Sequence, residues 1–303
     1  MRSEQGRKNI KFAIARKILN PFARKLGYTI VADHFYQPIP NDRELLIYHN
    51  KERPLSSIEW KIDRQIEFVS EILKKYCDEF NDKNIICSCG YAEEKGLLSG
   101  DAEFLYSIVR YMKPRKIVEI GAGDSTQIIA SALRMNFFEN AEKTRFISVE
   151  PYPQHFLKNL EDNFHGFVEF YLVKKPVQLV DLSIFESLEE NDILFVDSSH
   201  VFKQGSDVEF EFLKIYPILK KGVIVHLHDI FFPFDYPIEW NMKRYWFWNE
   251  QYFLEVFLQF NSKFEVLASL SMVAYHDNSI FLDAINAYYE TRNPGSFWMK
   301  AVR

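Results

Sequence analysis

From residue 99 onward the chain alternates short apolar runs with helical stretches, and several of those runs end abruptly on an acid or a histidine. Few folds accept that grammar. A strand followed by a crossover helix and another strand makes a parallel pair by a right-handed connection, so repeating the unit builds a parallel sheet covered by helices on both faces. Strands are expected at 116–120, 145–149, 168–173, 192–196, 222–227, 264–270 and 296–301. Helices are expected at 101–112, 207–219, 246–260 and 280–289, with one that follows the turn 121–126 and runs to Met135 and a further helical stretch ending at Asn163. The first hundred residues lack period-two runs. They carry two helical patterns, a basic one over 7–25 and one over 57–80 in which Ile58, Ile62, Ile66, Val69 and Leu73 trace one face. The expected fold is therefore α/β: a Rossmann-like, doubly wound, seven-stranded and mostly parallel sheet, with an N-terminal helical cap over residues 1–95 and the ligand-binding domain over 96–303.

Ligands of open parallel sheets bind beyond the carboxyl ends of the strands, near the switch in strand order. The first strand brings Glu119 to that edge and runs into Gly121-Ala122-Gly123-Asp124-Ser125-Thr126. Gly121 and Gly123 let backbone pass close to a ligand. Ser125 and Thr126 are suited to cap a helix whose first amides favour a carboxylate or phosphate. A dinucleotide fingerprint needs a third glycine where this chain has Thr126, which weakens a nicotinamide reading. Glu150, ending the second strand, is placed to accept hydrogen bonds from a ribose diol.

The successive segments Val118-Glu119-Ile120-Gly121-Ala122-Gly123-Asp124-Ser125-Thr126, Val149-Glu150-Pro151, Phe195-Val196-Asp197 and His228-Asp229-Ile230 resemble the motifs of class I S-adenosylmethionine-dependent methyltransferases. The resemblance spans about residues 95 to 303 and is greatest to a bacterial branch that includes macrolide sugar O-methyltransferases and the cephalosporin-hydroxylase group. It implies S-adenosylmethionine as cofactor, its methionine part held by Glu119 and the turn of Gly121, Ala122, Gly123, Ser125 and Thr126, its ribose by Glu150, and Asp197 close by. Adenine contacts are expected at 174–178, where no motif stands out.

The resemblance also implies a second group at the same rim. Asp197 and Asp229 match acidic ligands of a divalent metal that binds the acceptor hydroxyl, and His228 stands where an oxygen ligand is usual, so the metal would be magnesium or a softer ion. His200 matches the position of a catalytic base, with Asp197 beside it, and an imidazole of ordinary pKa suits that task at neutral pH. His226, deeper in the same strand, is expected in the core. The acceptor is expected to be a small molecule, a sugar or natural product, and to meet His34 and Tyr36 from the proline-containing loop 33–40, together with Trp248. Two other functions fit the same sheet: a nicotinamide-dependent oxidoreductase, disfavoured by Thr126 and by the absence of a Tyr-Lys pair at helical spacing, and a catalytically silent methyltransferase fold that binds a ligand.

Composition narrows the partners. The net charge is −5, yet residues 1–25 hold eight Lys and Arg against Glu4 alone, leaving 29 bases against 41 acids in the remainder. An acidic body argues against a nucleic-acid partner. The basic segment is expected to be a terminal helix packed by one face, with anionic lipid or an acidic partner as the other reading. Cys77, Cys87 and Cys89 cannot pair fully, no secretory leader opens the sequence, and no run of about 18 apolar residues occurs, so a cytoplasmic protein without a transmembrane segment is expected; a homo-oligomer stays open. At 16% aromatic residues, including 28 Phe, bulky core packing and an aromatic-lined cleft are expected.

Overall fold

The computed structural model describes residues 14–31, 38–49, 52–81, 97, 100–154, 157, 164–285 and 294–303. The chain divides into two compact units: residues 1–51 with 236–247, and residues 52–235 with 248–303. The smaller unit carries the π-helical segment Ala15–Leu19 and the helices Asn20–Lys25, Asp42–Tyr48 and Ile238–Arg244.

The larger unit holds the sheet. Its strands are β1 (Lys116–Ile120), β2 (Thr144–Val149), β3 (Val168–Val173), β4 (Ile193–Val196), β5 (Ile224–Leu227), β6 (Phe264–Ser269) and β7 (Phe297–Ala301). They lie in the order β3-β2-β1-β4-β5-β7-β6. The first five pair in parallel, and β7 enters antiparallel between β5 and β6. The expected seven-stranded, mostly parallel α/β fold is thus the observed one. β1, β4 and β5 are apolar along both faces and almost wholly buried, as a sheet covered on both sides requires. Glu119 of β1 and His226 of β5 are buried polar exceptions within them, and the burial of Glu119 has consequences below.

The helices that position the site are α1 (Ile62–Asn81), α2 (Asp101–Met112), α3 (Asp124–Asn140), α4 (Asp207–Phe210), α5 (Glu250–Gln259), α6 (Leu270–His276) and α7 (Ser279–Ala284). Along α1 the predicted stripe continues inward: Val69, Ile72 and Leu73 are buried in one core cluster with Phe104, Leu105 and Ile108 of α2. Arg110 of α2, almost fully buried, pairs with Glu79 of α1 at 2.8 Å and with Asn136 and Glu139 of α3. That one guanidinium therefore ties three helices of the same layer, and its removal would leave carboxylates without their counter-ion. Asp101, at the start of α2, accepts from the amides of Gly295 and Ser296 at 2.9 and 2.8 Å, fixing the approach to β7.

Three elements differ from expectation. The helix expected over 207–219 is only four residues of α4 before it widens into a π-helical segment, Glu211–Ile215, and tightens into the 3-10 turn Tyr216–Ile218; Pro217 has no amide to continue an α-helix. Residues 246–249 precede α5 rather than belonging to it. Leu270–His276 is a helix that the sequence reading, which expected a strand running to Leu270, did not announce.

Candidate functional site

The switch in strand order falls between β1 and β4, since β1 leads to β2 on one side and β4 to β5 on the other. The carboxyl ends of these strands must separate there, which makes the crevice. Gly121 sits at its floor with φ +86, donating its amide to the Val149 carbonyl at 3.0 Å. A Cβ at this position would collide with the carbonyl oxygen of Asp197, so the close passage of the turn over β4 is open to glycine alone.

Glu119 lies beneath the turn rather than in the crevice. Fully buried, it accepts hydrogen bonds from Ser125 (2.7 Å), Thr126 (2.8 Å) and Ser148 (2.6 Å). Burial pushes its carboxyl up to about 7, against the opposing effect of the three hydroxyls and with help from the Asp197 charge. The Thr126 hydroxyl also accepts from the Gly123 amide at 3.1 Å. Glu119 and Thr126 thus shape the turn from below, while Gly121, Ala122, Gly123 and Ser125 line a cavity of about 420 Å³ together with Glu150, Asp197, His200, His228, Asp229 and Trp248. Glu150 is held by the amides of Tyr152 (2.7 Å) and Ala122 (3.3 Å), one bond to each oxygen, leaving acceptor capacity on both.

A second cavity of about 320 Å³ shares Gly121, Glu150 and Asp197 with the first and continues past Ile120, Val149, Pro176, Val177 and Gln178. The window expected to meet adenine therefore does border the crevice, although its sequence carries no signature. A charged, hydroxyl-bearing body at the glycine turn and a flat apolar ring on the Val149 and Val177 side would fit the pair of cavities.

The histidines do not all stand where the sequence placed them. His200 is buried, with Nε2 facing Asp197 Oδ1 at 3.3 Å and Asp229 Oδ2 at 3.6 Å, and Nδ1 on Glu250 Oε2 at 3.0 Å. The Trp248 ring lies against its face, centroids 4.3 Å apart. Burial alone would depress its pKa, but the bonds and charges of Asp197 and Glu250 outweigh that and hold it well above the ordinary histidine value. The ordinary-pKa imidazole expected from the sequence is therefore corrected: between three carboxylates, this ring favours its cationic form at neutral pH. Asp197 in turn, despite burial, is held down to about 2 by His228 and His200.

Two of these groups sit on strained backbone. His200 (φ 58) and Asp229 (φ 56) are left-handed residues without being glycine, a cost of about 1–2 kcal/mol each that surrounding structure must hold in place. Local clips do so for His200: its carbonyl accepts from Asn249 and Glu250 amides at 3.0 and 3.2 Å, and the Asn249 side chain receives the Phe202 amide at 2.6 Å. Glu250 is a site residue to which the sequence reading gave no role: the stretch Trp248-Asn249-Glu250-Gln251-Tyr252 is a less specific part of the resemblance, and only the fold sets Glu250 against a histidine fifty positions earlier.

Among the described residues, one cluster brings metal-ligand atoms within 4.8 Å of one another: Asp197, His200 and Asp229. His228, expected as the third ligand, does not join it. Its Nε2 is 3.9 Å from Asp229, its Nδ1 is buried without a hydrogen-bond partner, and the charges of Asp229, Asp197 and Asp101 raise its pKa against the effect of burial. The reason is geometric. Position 228 follows directly from β5, with its amide still bonded to the Val196 carbonyl, whereas position 200 lies on a loop free to turn its ring over the strand ends. His226 is a core histidine as expected, stacked on Phe195 at 4.0 Å, bonded to Ser296 at 3.1 Å and kept neutral by burial. His34 and Tyr36 lie outside the described residues.

A sheet of this order, with a glycine turn and a strand-end acid at the β1/β4 switch, places its crevice where open α/β sheets bind ligands. Residues 118–230 match the methyltransferase domain family Methyltransf_24. An uncharacterised protein of Archaeoglobus fulgidus is 32% identical over 186 residues, spanning 56% of this chain and 78% of its own length. Among solved structures, the Podospora anserina methyltransferase PaMTH1 with bound S-adenosylhomocysteine (SAH) is similar over 77% of this chain and 88% of its own, at 13% identity and a TM-score of 0.45. CalS11, a TDP-rhamnose 3'-O-methyltransferase of calicheamicin biosynthesis, is similar over 77% and 92%, at 14% identity and a TM-score of 0.42. The methyltransferase match runs from within β1 to just past β5, the segment that builds the crevice.

Proposed function

We propose that this enzyme methylates a hydroxyl oxygen of a small-molecule acceptor, a sugar or natural product, in the cytoplasm. The observation that carries the reading is the His200 Nε2 edge, flanked by Asp197 and Asp229 and opening on the cavity that also contains the glycine turn. A hydroxyl must lose its proton as its oxygen is alkylated, which gives a base at this position a task that an already neutral amine would not set it.

Gly121, Ala122, Gly123 and Ser125 hold the methionine part of the cofactor, Glu150 its ribose, and Pro176 to Gln178 the adenine side. When bound, S-adenosylmethionine supplies an electrophilic methyl carbon on a cationic sulfur. The ionised Asp197 adds negative charge beside that position. Trp248, whose ring lies against His200, would meet the acceptor, and His34 and Tyr36 remain the further acceptor contacts read from the sequence. His200 receives the hydroxyl proton at Nε2 while Glu250 fixes the ring through Nδ1, a positioning bond of the kind that orients histidine bases. Because the carboxylates raise the His200 pKa, the working neutral form grows as pH rises above neutrality.

The convergence of Asp197, His200 and Asp229 supports a second reading, in which the three hold a divalent cation and Glu250 supports the histidine ligand. The mixed nitrogen and carboxylate set suits manganese, cobalt or zinc better than magnesium, and the ion would lower the pKa of a hydroxyl bound to it. Methyl transfer to a panel of sugar and phenolic acceptors, with and without chelator, tests both. His200→Ala should lower turnover by about 10²- to 10⁴-fold with little change in cofactor affinity. Chelator-resistant turnover that rises with pH supports the metal-free base. Abolition by chelator, mimicked by Asp197→Ala and Asp229→Ala, supports the cation. Full activity of the His200 variant would refute both.

A further inference from the structure

The described part of the basic segment, residues 14–25, leaves its large apolar side chains exposed rather than packed as the sequence led one to expect. Within helix Asn20–Lys25 only Ala23 is buried. Ile18 (66% exposed), Phe22 (69%) and Leu26 (61%) recur every four residues, so they share one helical face. The following turn, with Gly27 at φ +81, sends the chain back past the helix, and the Asn20 side chain clasps it: Nδ2 donates to the Ile30 carbonyl and Oδ1 accepts from the Ile30 amide, both at 2.7 Å. Tyr28, Ile30 and Val31 on the returning segment are exposed as well. The apolar residues are thus held on a pinned plate, not scattered singly over a surface.

The unit that carries this plate is predominantly basic, with twelve Lys and Arg against five Asp and Glu over residues 1–51 and 236–247. Residues 1–25 carry eight Lys and Arg against one acid, and Lys17, Arg24 and Lys25 are exposed among those described. The same compact unit includes exposed Lys243, Arg244, Tyr245 and Trp246, with the Arg244 guanidinium 4.8 Å from the Trp246 ring centroid. Basic residues interleaved with exposed tryptophan and tyrosine are what a lipid headgroup boundary accommodates. A symmetric contact with a second copy would set like charges against each other.

We propose that this unit docks on an anionic lipid bilayer surface, the exposed Ile18-Phe22-Leu26 face entering the headgroup boundary and the surrounding lysines and arginines meeting lipid phosphates. No helix among the described residues is long and apolar enough to cross a membrane, so the docking is peripheral and reversible by salt.

The test uses the full chain in co-sedimentation with phosphatidylcholine vesicles, with and without phosphatidylglycerol, at low and high salt. Wild-type protein should bind the anionic vesicles at least about tenfold better than the neutral ones and lose that preference in high salt. Phe22→Ser with Leu26→Ser, and separately Arg24→Glu with Lys25→Glu, should each weaken anionic binding by about tenfold or more while Tm and far-ultraviolet circular dichroism stay at wild-type values. Equal binding to neutral vesicles, or protein left in solution with both kinds, would overturn the proposal. So would light scattering that shows a dimer dissolved by the Phe22/Leu26 pair when vesicles bind neither protein.

Discussion

Glu119→Gln isolates the tension on which the cofactor turn is built. In the wild type, burial favours the protonated acid and raises its pKa from an ordinary 4.5 to about 7, while three hydroxyl donors favour the carboxylate. Between those pH values the unfolded chain has already released this proton and the folded chain still binds it. Folded stability contributed by Glu119 therefore falls as pH rises through that window, and the interval corresponds to about 3 kcal/mol. Glutamine keeps the size and one carbonyl acceptor but cannot ionise. Urea unfolding of both proteins at steps from pH 4.5 to 8 gives two stability curves, and their difference cancels every other titrating group. Relative to the Gln variant, the wild type should lose about 3 kcal/mol across the range, flattening above pH 7.5. Parallel curves would show that the hydroxyls fully offset burial and that Glu119 ionises in the ordinary range, which would refute the reasoning.

Two further perturbations follow from the packing. Gly121→Ala places a Cβ on the Asp197 carbonyl at a left-handed backbone position, so it should cost at least about 2 kcal/mol in thermal unfolding and abolish SAH binding in calorimetry; a variant as stable and as tightly binding as the wild type would contradict the close passage described. A chain beginning near Gly96 loses α1 and bares the faces of α2 that Val69, Ile72 and Leu73 cover, so it should aggregate on expression, whereas a soluble and fully active fragment would show that residues 96–303 stand alone.

Most of the sheet was legible because its strands are apolar runs closed by polar residues, and β1 and β3 fall on their predicted ends. Direction was less so: nothing in residues 297–301 encodes that β7 runs antiparallel, since an apolar run reads the same either way. Helix α6 was missed for a related reason, because Leu270 to Tyr275 offers no polar face to set a period. At the site, Gly121, Glu150, Asp197 and Asp229 could be placed because they end strands or open a helix, and strand ends are fixed by topology. The exchange of His228 for His200 in the acidic cluster could not. It depends on where a loop turns a ring, and that is decided by Asn249 and Glu250, some fifty residues downstream.

The central claim is that the crevice between β1 and β4 holds S-adenosylmethionine against Glu150. Calorimetry with SAH on wild type and on Glu150→Ala tests it most directly, with NAD as the competing ligand. SAH should bind the wild type, NAD should give no heat, and the variant should lose about 1–3 kcal/mol of SAH binding through the lost hydrogen bonds to a charged acceptor. Binding of NAD without any response to SAH, or an SAH affinity indifferent to Glu150, would contradict the account.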